Sequence, residues 1–142
     1  MHVEELISKL RDLVKKVDEV EKKFDDTLLN AGVILGDAIF TIRANFMCEG
    51  KRFYVELLVE KGKRVRKMYI FRDTSALLRE KIEINMYHIG DDDLEFDVKA
   101  THVPITSIST IMDKAINVLS EKLDRVNLVL DVVDRVRQTL SQ

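Results

Sequence analysis

The chain reads as an α+β protein, a two-layer sandwich in which a helix at each end covers one face of an antiparallel sheet. Two observations predict this. Val3, Leu6, Leu10, Leu13, Val17, Val20 and Phe24 near the start, and Met112, Ile116, Leu119, Leu123, Val126, Leu130 and Val133 near the end, recur at alternating steps of three and four. That spacing is the heptad seam by which one helix packs along another. Between the two runs the apolar period drops to two, which is the spacing of strands with one buried face.

The first helix is predicted over 2–29 and stops near Asn30-Ala31-Gly32, where glycine tolerates the left-handed conformation that ends helices. Strands follow over 33–47 and 52–60. Ala38, Phe40, Ile42, Ala44 and Phe46 share one face of the first, and Phe53, Val55, Leu57 and Val59 one face of the second. A tight turn at Glu49-Gly50 sets Phe46 opposite Phe53, Ala44 opposite Val55, Ile42 opposite Leu57 and Phe40 opposite Val59.

Lys61-Gly62-Lys63 makes the next turn, and the third strand is predicted over 64–72. A three-residue loop buries Val65, Lys67, Tyr69 and Phe71, whereas a two-residue loop buries Arg64, Arg66, Met68 and Ile70. The first is preferred because it places two aromatic rings inside. A short helix is expected over 74–79, capped by Asp73 or Thr74. A second hairpin spans 81–89 and 94–102, with Ile82, Ile84 and Met86 facing Leu94, Phe96, Val98 and Ala100. Both apolar sets are even-numbered, so the connecting loop has an odd length and Ile84 opposes Val98. Pro104 ends the last strand, Thr106 or Ser107 caps the final helix, and that helix runs over 106–139.

By length the 142 residues form a single domain, 1–142, with enough chain to bury roughly two-thirds of its unfolded surface. Its 23 basic and 25 acidic residues leave a net charge of −2, so no overall field draws it to nucleic acid or to a membrane. Cys48 is the lone cysteine and has no partner for an internal disulfide. No apolar run approaches the roughly 18 residues of a membrane-spanning helix, and Met1-His2-Val3-Glu4-Glu5 lacks the pattern of a signal peptide. A cytoplasmic protein is expected. Abundant Lys, Glu, Arg, Ile and Val, with glutamine only at Gln138 and Gln142 and no tryptophan, give a composition of the kind found in hyperthermophile proteins.

A helix of about 34 residues is about 50 Å long, whereas strands of about nine residues span about 30 Å. The last helix must therefore overhang the sheet. In its distal part Val126, Leu128, Val129, Leu130, Val132, Val133 and Val136 form an apolar band too wide for one helical seam. One stripe meets the first helix, and the other calls for a second partner. A homodimer is expected, with Val126, Val129, Val132, Val133 and Val136 as its contact residues.

His88 and His102 flank Asp91, Asp92, Asp93, Glu95 and Asp97, the residue types of a metal site. The hairpin register separates the two histidines by roughly 26 Å, however, and the aspartates lack the order of a calcium loop. No metal site is expected, and no cofactor motif is present. Cys48 has no histidine near it to activate a thiolate, and Gly32-Val33-Ile34-Leu35-Gly36-Asp37 lacks the lysine of a phosphate-binding loop. The chain is therefore read as non-enzymatic. The alternative function rests on Lys61, Lys63, Arg64, Arg66 and Lys67, followed by Tyr69, Phe71 and Arg72. Basic groups holding phosphates while rings stack on bases would make this hairpin a nucleic-acid contact.

The stretch Ala76-Leu77-Leu78-Arg79, Ile82-Glu83-Ile84-Asn85, Leu94-Glu95-Phe96-Asp97-Val98 and Val103-Pro104-Ile105 leads into the final helix. With the inferred order of elements, it resembles the Tir-chaperone-like fold, which includes the class I chaperones of type III secretion. Those chaperones are usually markedly acidic, unlike this chain. The resemblance implies a dimeric, non-enzymatic protein that holds a partner polypeptide on sheet edges or apolar patches. The terminal helices flanking hairpins also resemble prefoldin subunits, which implies the same kind of binder.

Overall fold

The computed structural model describes residues 3–30, 39–60, 65–72, 80–89 and 93–140. Helix α1 (Val3–Asn30) is followed by five strands, β1 (Ile39–Cys48), β2 (Lys51–Glu60), β3 (Val65–Arg72), β4 (Lys81–His88) and β5 (Leu94–Thr101), and by helix α2 (Ile105–Leu140). The strands form one antiparallel sheet in the order β1-β2-β3-β4-β5. This is the expected α+β class. The predicted short helix over 74–79 and the start of the first predicted strand, 33–38, lie outside the described residues.

The first hairpin adopts the expected register, with Phe46 opposite Phe53, Ala44 opposite Val55, Ile42 opposite Leu57 and Phe40 opposite Val59. Its turn needs positive φ at both central residues, and Glu49 (52°) and Gly50 (74°) supply it. That is the turn whose twist matches the flanking strands. In the second hairpin Ile84 opposes Val98, also as expected.

The third strand is rotated relative to expectation. Leu57 pairs with Met68 and Val55 with Ile70, so Arg66, Met68 and Ile70 face the helices while Val65, Lys67, Tyr69 and Phe71 face the other way. Met68 and Ile70 fill the core between Leu57, Val55, Ile82 and Ile84. The aromatics find partners on the open face instead, where Phe71 stacks on Tyr54 with ring centroids 5.7 Å apart. The inward Arg66 is met by carboxylates on α1.

The core joins Leu6, Leu10, Leu13, Val14, Val17 and Val20 of α1, Ile111, Met112, Ala115, Ile116, Leu119 and Leu123 of α2, and the inward residues of β2, β3 and β4. The chain reverses four times between its five antiparallel strands and once between each helix and the sheet, six times in all, so the two helices run parallel. The inter-helix pairs record this: Lys9 meets Asp113, Lys16 meets Asp124 (3.0 Å) and Lys23 meets Asp131 (2.9 Å). Further on, the Thr27 hydroxyl donates to Asp134 (2.9 Å) and the Arg137 guanidinium donates to the Thr27 carbonyl (2.9 Å).

Helix α2 begins at Ile105, directly after Pro104, so Thr106 and Ser107 lie in its first turn and do not cap it. It runs along β1, where the Lys114 ammonium donates to the Met47 carbonyl (3.3 Å) and the Lys122 ammonium to the Arg43 carbonyl. Helix α1 lies toward β3 and β4, where Asp18 meets both Arg66 and His88. Two helices of about 10 Å diameter cover about four strands spaced about 4.8 Å apart. The helices therefore cover the fifth strand only in part. Leu94 and Phe96 are half-buried, but Val98 and Ala100, expected inside, are exposed.

Candidate interaction surfaces

One stripe of α2 carries a continuous run of exposed apolar residues. Ile111, Ala115 and Val118 pack into or against the core, and Lys122 reaches β1. The same steps of four and three lead on to Val129, Val133, Val136 and Leu140, which extend the same side of the helix. Lys114 and Lys122 advance about 12 Å along α2 while Met47 to Arg43 retreats about 13 Å along β1. Ile39, the described start of β1, therefore lies level with about residue 130. Beyond that point α2 keeps its sheet-facing stripe past the end of the described sheet. Leu128, Val129, Val132, Val133, Val136 and Leu140 are 41 to 81% exposed.

Four of the five predicted contact residues, Val129, Val132, Val133 and Val136, lie on this exposed surface. Val126 does not, because it packs against the core and lines a half-open groove of about 480 Å³ with Val20, Phe24, Thr41, Ile42, Arg43 and Lys122. Leu130, on the opposite seam, is buried. Leu140 belongs to the stripe but was not among the predicted contacts, although it continues the same spacing from Val129.

The basic hairpin is divided by the register of β3. Lys67 is exposed on the open face, whereas Arg66 is only 6% exposed and turns inward. Its guanidinium donates to the Glu60 carbonyl (3.1 Å), to Asp18 (3.3 Å) and to Glu21. Arg66 is thus a core cation, not a surface contact. Lys61, Lys63 and Arg64 lie outside the described residues. The open face of the sheet carries Tyr54, Tyr69, Phe71 and Tyr87, with Lys81 over the Tyr69 ring at 5.1 Å. Carboxylates are interleaved with these groups. Glu56 pairs with Arg43 (3.2 Å) and Glu83 with Lys81 (2.7 Å), and the hydrogen bond from Lys81 holds the Glu83 carboxyl below its usual range.

Cys48 is 1% exposed at the end of β1, and burial pushes its thiol upward, away from the reactive thiolate. His88 stands at one end of the second hairpin, 3.5 Å from Asp18, and His102 follows β5 at the other. Among the described residues no group of three His, Cys, Asp or Glu converges, and no helix is long and apolar enough to cross a membrane. Compared with known protein families, curated proteins and solved structures, the chain matches none.

Proposed function

We propose that this is a non-enzymatic, protein-binding homodimer, chaperone-like or scaffolding in role, that self-associates through the exposed stripe of α2. The carrying observation is the run from Leu128 to Leu140, where sheet-facing apolar residues continue past the end of the described sheet. Six such side chains at those exposures leave on the order of 500 Å² of apolar surface, near the upper limit for a monomer's largest patch. Two copies related by a two-fold axis would bury on the order of 1,000 Å², the threshold for a specific interface. The resemblance of the element order to the Tir-chaperone-like fold supports the same reading. Val129→Lys with Val136→Lys is the test: sedimentation should give a smaller species than the parent while the circular dichroism stays unchanged. An unchanged sedimentation coefficient would count against the stripe.

A nucleic-acid reading draws on the open sheet face, where Tyr54, Tyr69 and Tyr87 accompany Lys67 and Lys81. It is the second choice because Glu56 and Glu83 already neutralise the neighbouring cations. If it holds, Lys63→Glu, Arg64→Glu and Lys67→Glu together should abolish retention of single-stranded nucleic acid at low salt. Unaltered retention would remove it.

A further inference from the structure

β5 ends the sheet at the side away from β1, and among the described residues its outer edge pairs with nothing. Unpaired edges invite another strand, and charge normally restricts which one. Here the charges select a register. Glu95, Asp97, Lys99 and Thr101 lie on the open face, while Leu94, Phe96, Val98 and Ala100 lie on the helix side, where neither helix covers Val98 or Ala100.

Consider an antiparallel pair of two β5 strands, in which opposed residues share a face. Centring the two-fold axis on Asp97 sets Asp97 against its own copy, and centring it on Lys99 does the same to Lys99. Centring on Phe96 sets Glu95 against Asp97. A centre between residues opposes inward positions to outward ones and mixes apolar with charged groups. A centre on Val98 avoids all of these faults. It places Asp97 opposite Lys99 twice by symmetry, Glu95 opposite Thr101, the large Phe96 opposite the small Ala100, and Val98 opposite itself. This register pairs Glu95 through Thr101, all of the strand but Leu94.

We propose that β5 pairs with β5 of a second copy about a two-fold axis through Val98, joining two five-stranded sheets into one of ten strands. The α2 stripe lies on the β1 side of the sheet, so a second copy on either surface leaves the other free. An isologous contact at each surface builds an assembly larger than a dimer. This contact stands independently of the one at α2.

Light scattering on the full chain and its variants tests the register. Asp97→Lys sets lysines against Lys99 of each copy and should reduce the assembly to the α2-linked dimer, whereas Asp97→Lys combined with Lys99→Asp exchanges the partners and should restore the larger mass. Combining Asp97→Lys with Val129→Lys and Val136→Lys should give a monomer. If Asp97→Lys leaves the mass unchanged, or the exchange variant fails to restore it, the β5 pairing is wrong. If Asp97→Lys alone already gives a monomer and the α2 variant matches the parent, the β5 pairing stands and the α2 interface fails.

Discussion

The Arg66 guanidinium on β3 is buried beneath α1, where it donates to the Glu21 carboxylate and, through the same terminal nitrogen, to Asp18 at 3.3 Å. One cation on the inner sheet face thus ties the helix to β3, and Asp18 extends the cluster to His88 of β4. Removing one member of a buried pair strands the other, at a cost of about 3–5 kcal/mol. Arg66→Ala should therefore lower the free energy of unfolding by that order in urea titration. Arg66→Met with Glu21→Leu should recover most of the loss, since two apolar groups replace two charges. Equal stability of Arg66→Ala and the parent would show that the pair adds nothing.

Lys9 with Asp113, Lys16 with Asp124 and Lys23 with Asp131 hold the helices in parallel register, with the lysines one heptad apart. Each pair is partly solvated, so each should contribute about 0.2–1 kcal/mol. Lys16→Ala should destabilise by that amount at low salt. The difference from the parent should shrink in 1 M salt, where the screening length falls to about 3 Å.

The rung joining Ile84 to Val98 runs from the covered sheet to its partly covered edge. Ile84 is 0% and Val98 43% exposed. Ile84→Ala should cost about 2–5 kcal/mol as a core truncation. Val98→Ala should cost well under half as much, measured on the isolated subunit. Comparable losses would place a cover over β5.

Cys48 should react slowly with a thiol reagent near neutral pH and readily after denaturation. Burial raises its folded-state value above the ordinary 9.0 of a free thiol, so the neutral thiol is favoured in the folded protein. The associated stability is fully present below the unfolded value near 9 and is lost as pH rises through the folded value. Cys48→Ser should flatten stability against pH in that alkaline window, whereas rapid labelling of the native protein would contradict the burial.

Alternating apolar positions, reinforced by a turn with positive φ at Glu49 and Gly50, made the first hairpin readable residue by residue. The third strand was not, because Tyr69 and Phe71 outweigh Met68 and Ile70 when only residue size is counted. The carboxylates of Asp18 and Glu21 that make an inward Arg66 tolerable lie more than forty residues away in sequence. For β5, alternation correctly reported a helix-side face but not that two helices cover it only in part. That α2 extends past the described sheet follows from lengths alone, since rise per residue differs twofold between helix and strand.

Self-association through α2 is tested most directly by sedimentation velocity of the parent chain and of Val129→Lys with Val136→Lys, run across micromolar concentrations. The parent should sediment as an oligomer and the variant as a smaller species with unchanged secondary structure. A monomeric parent throughout that range would contradict the account.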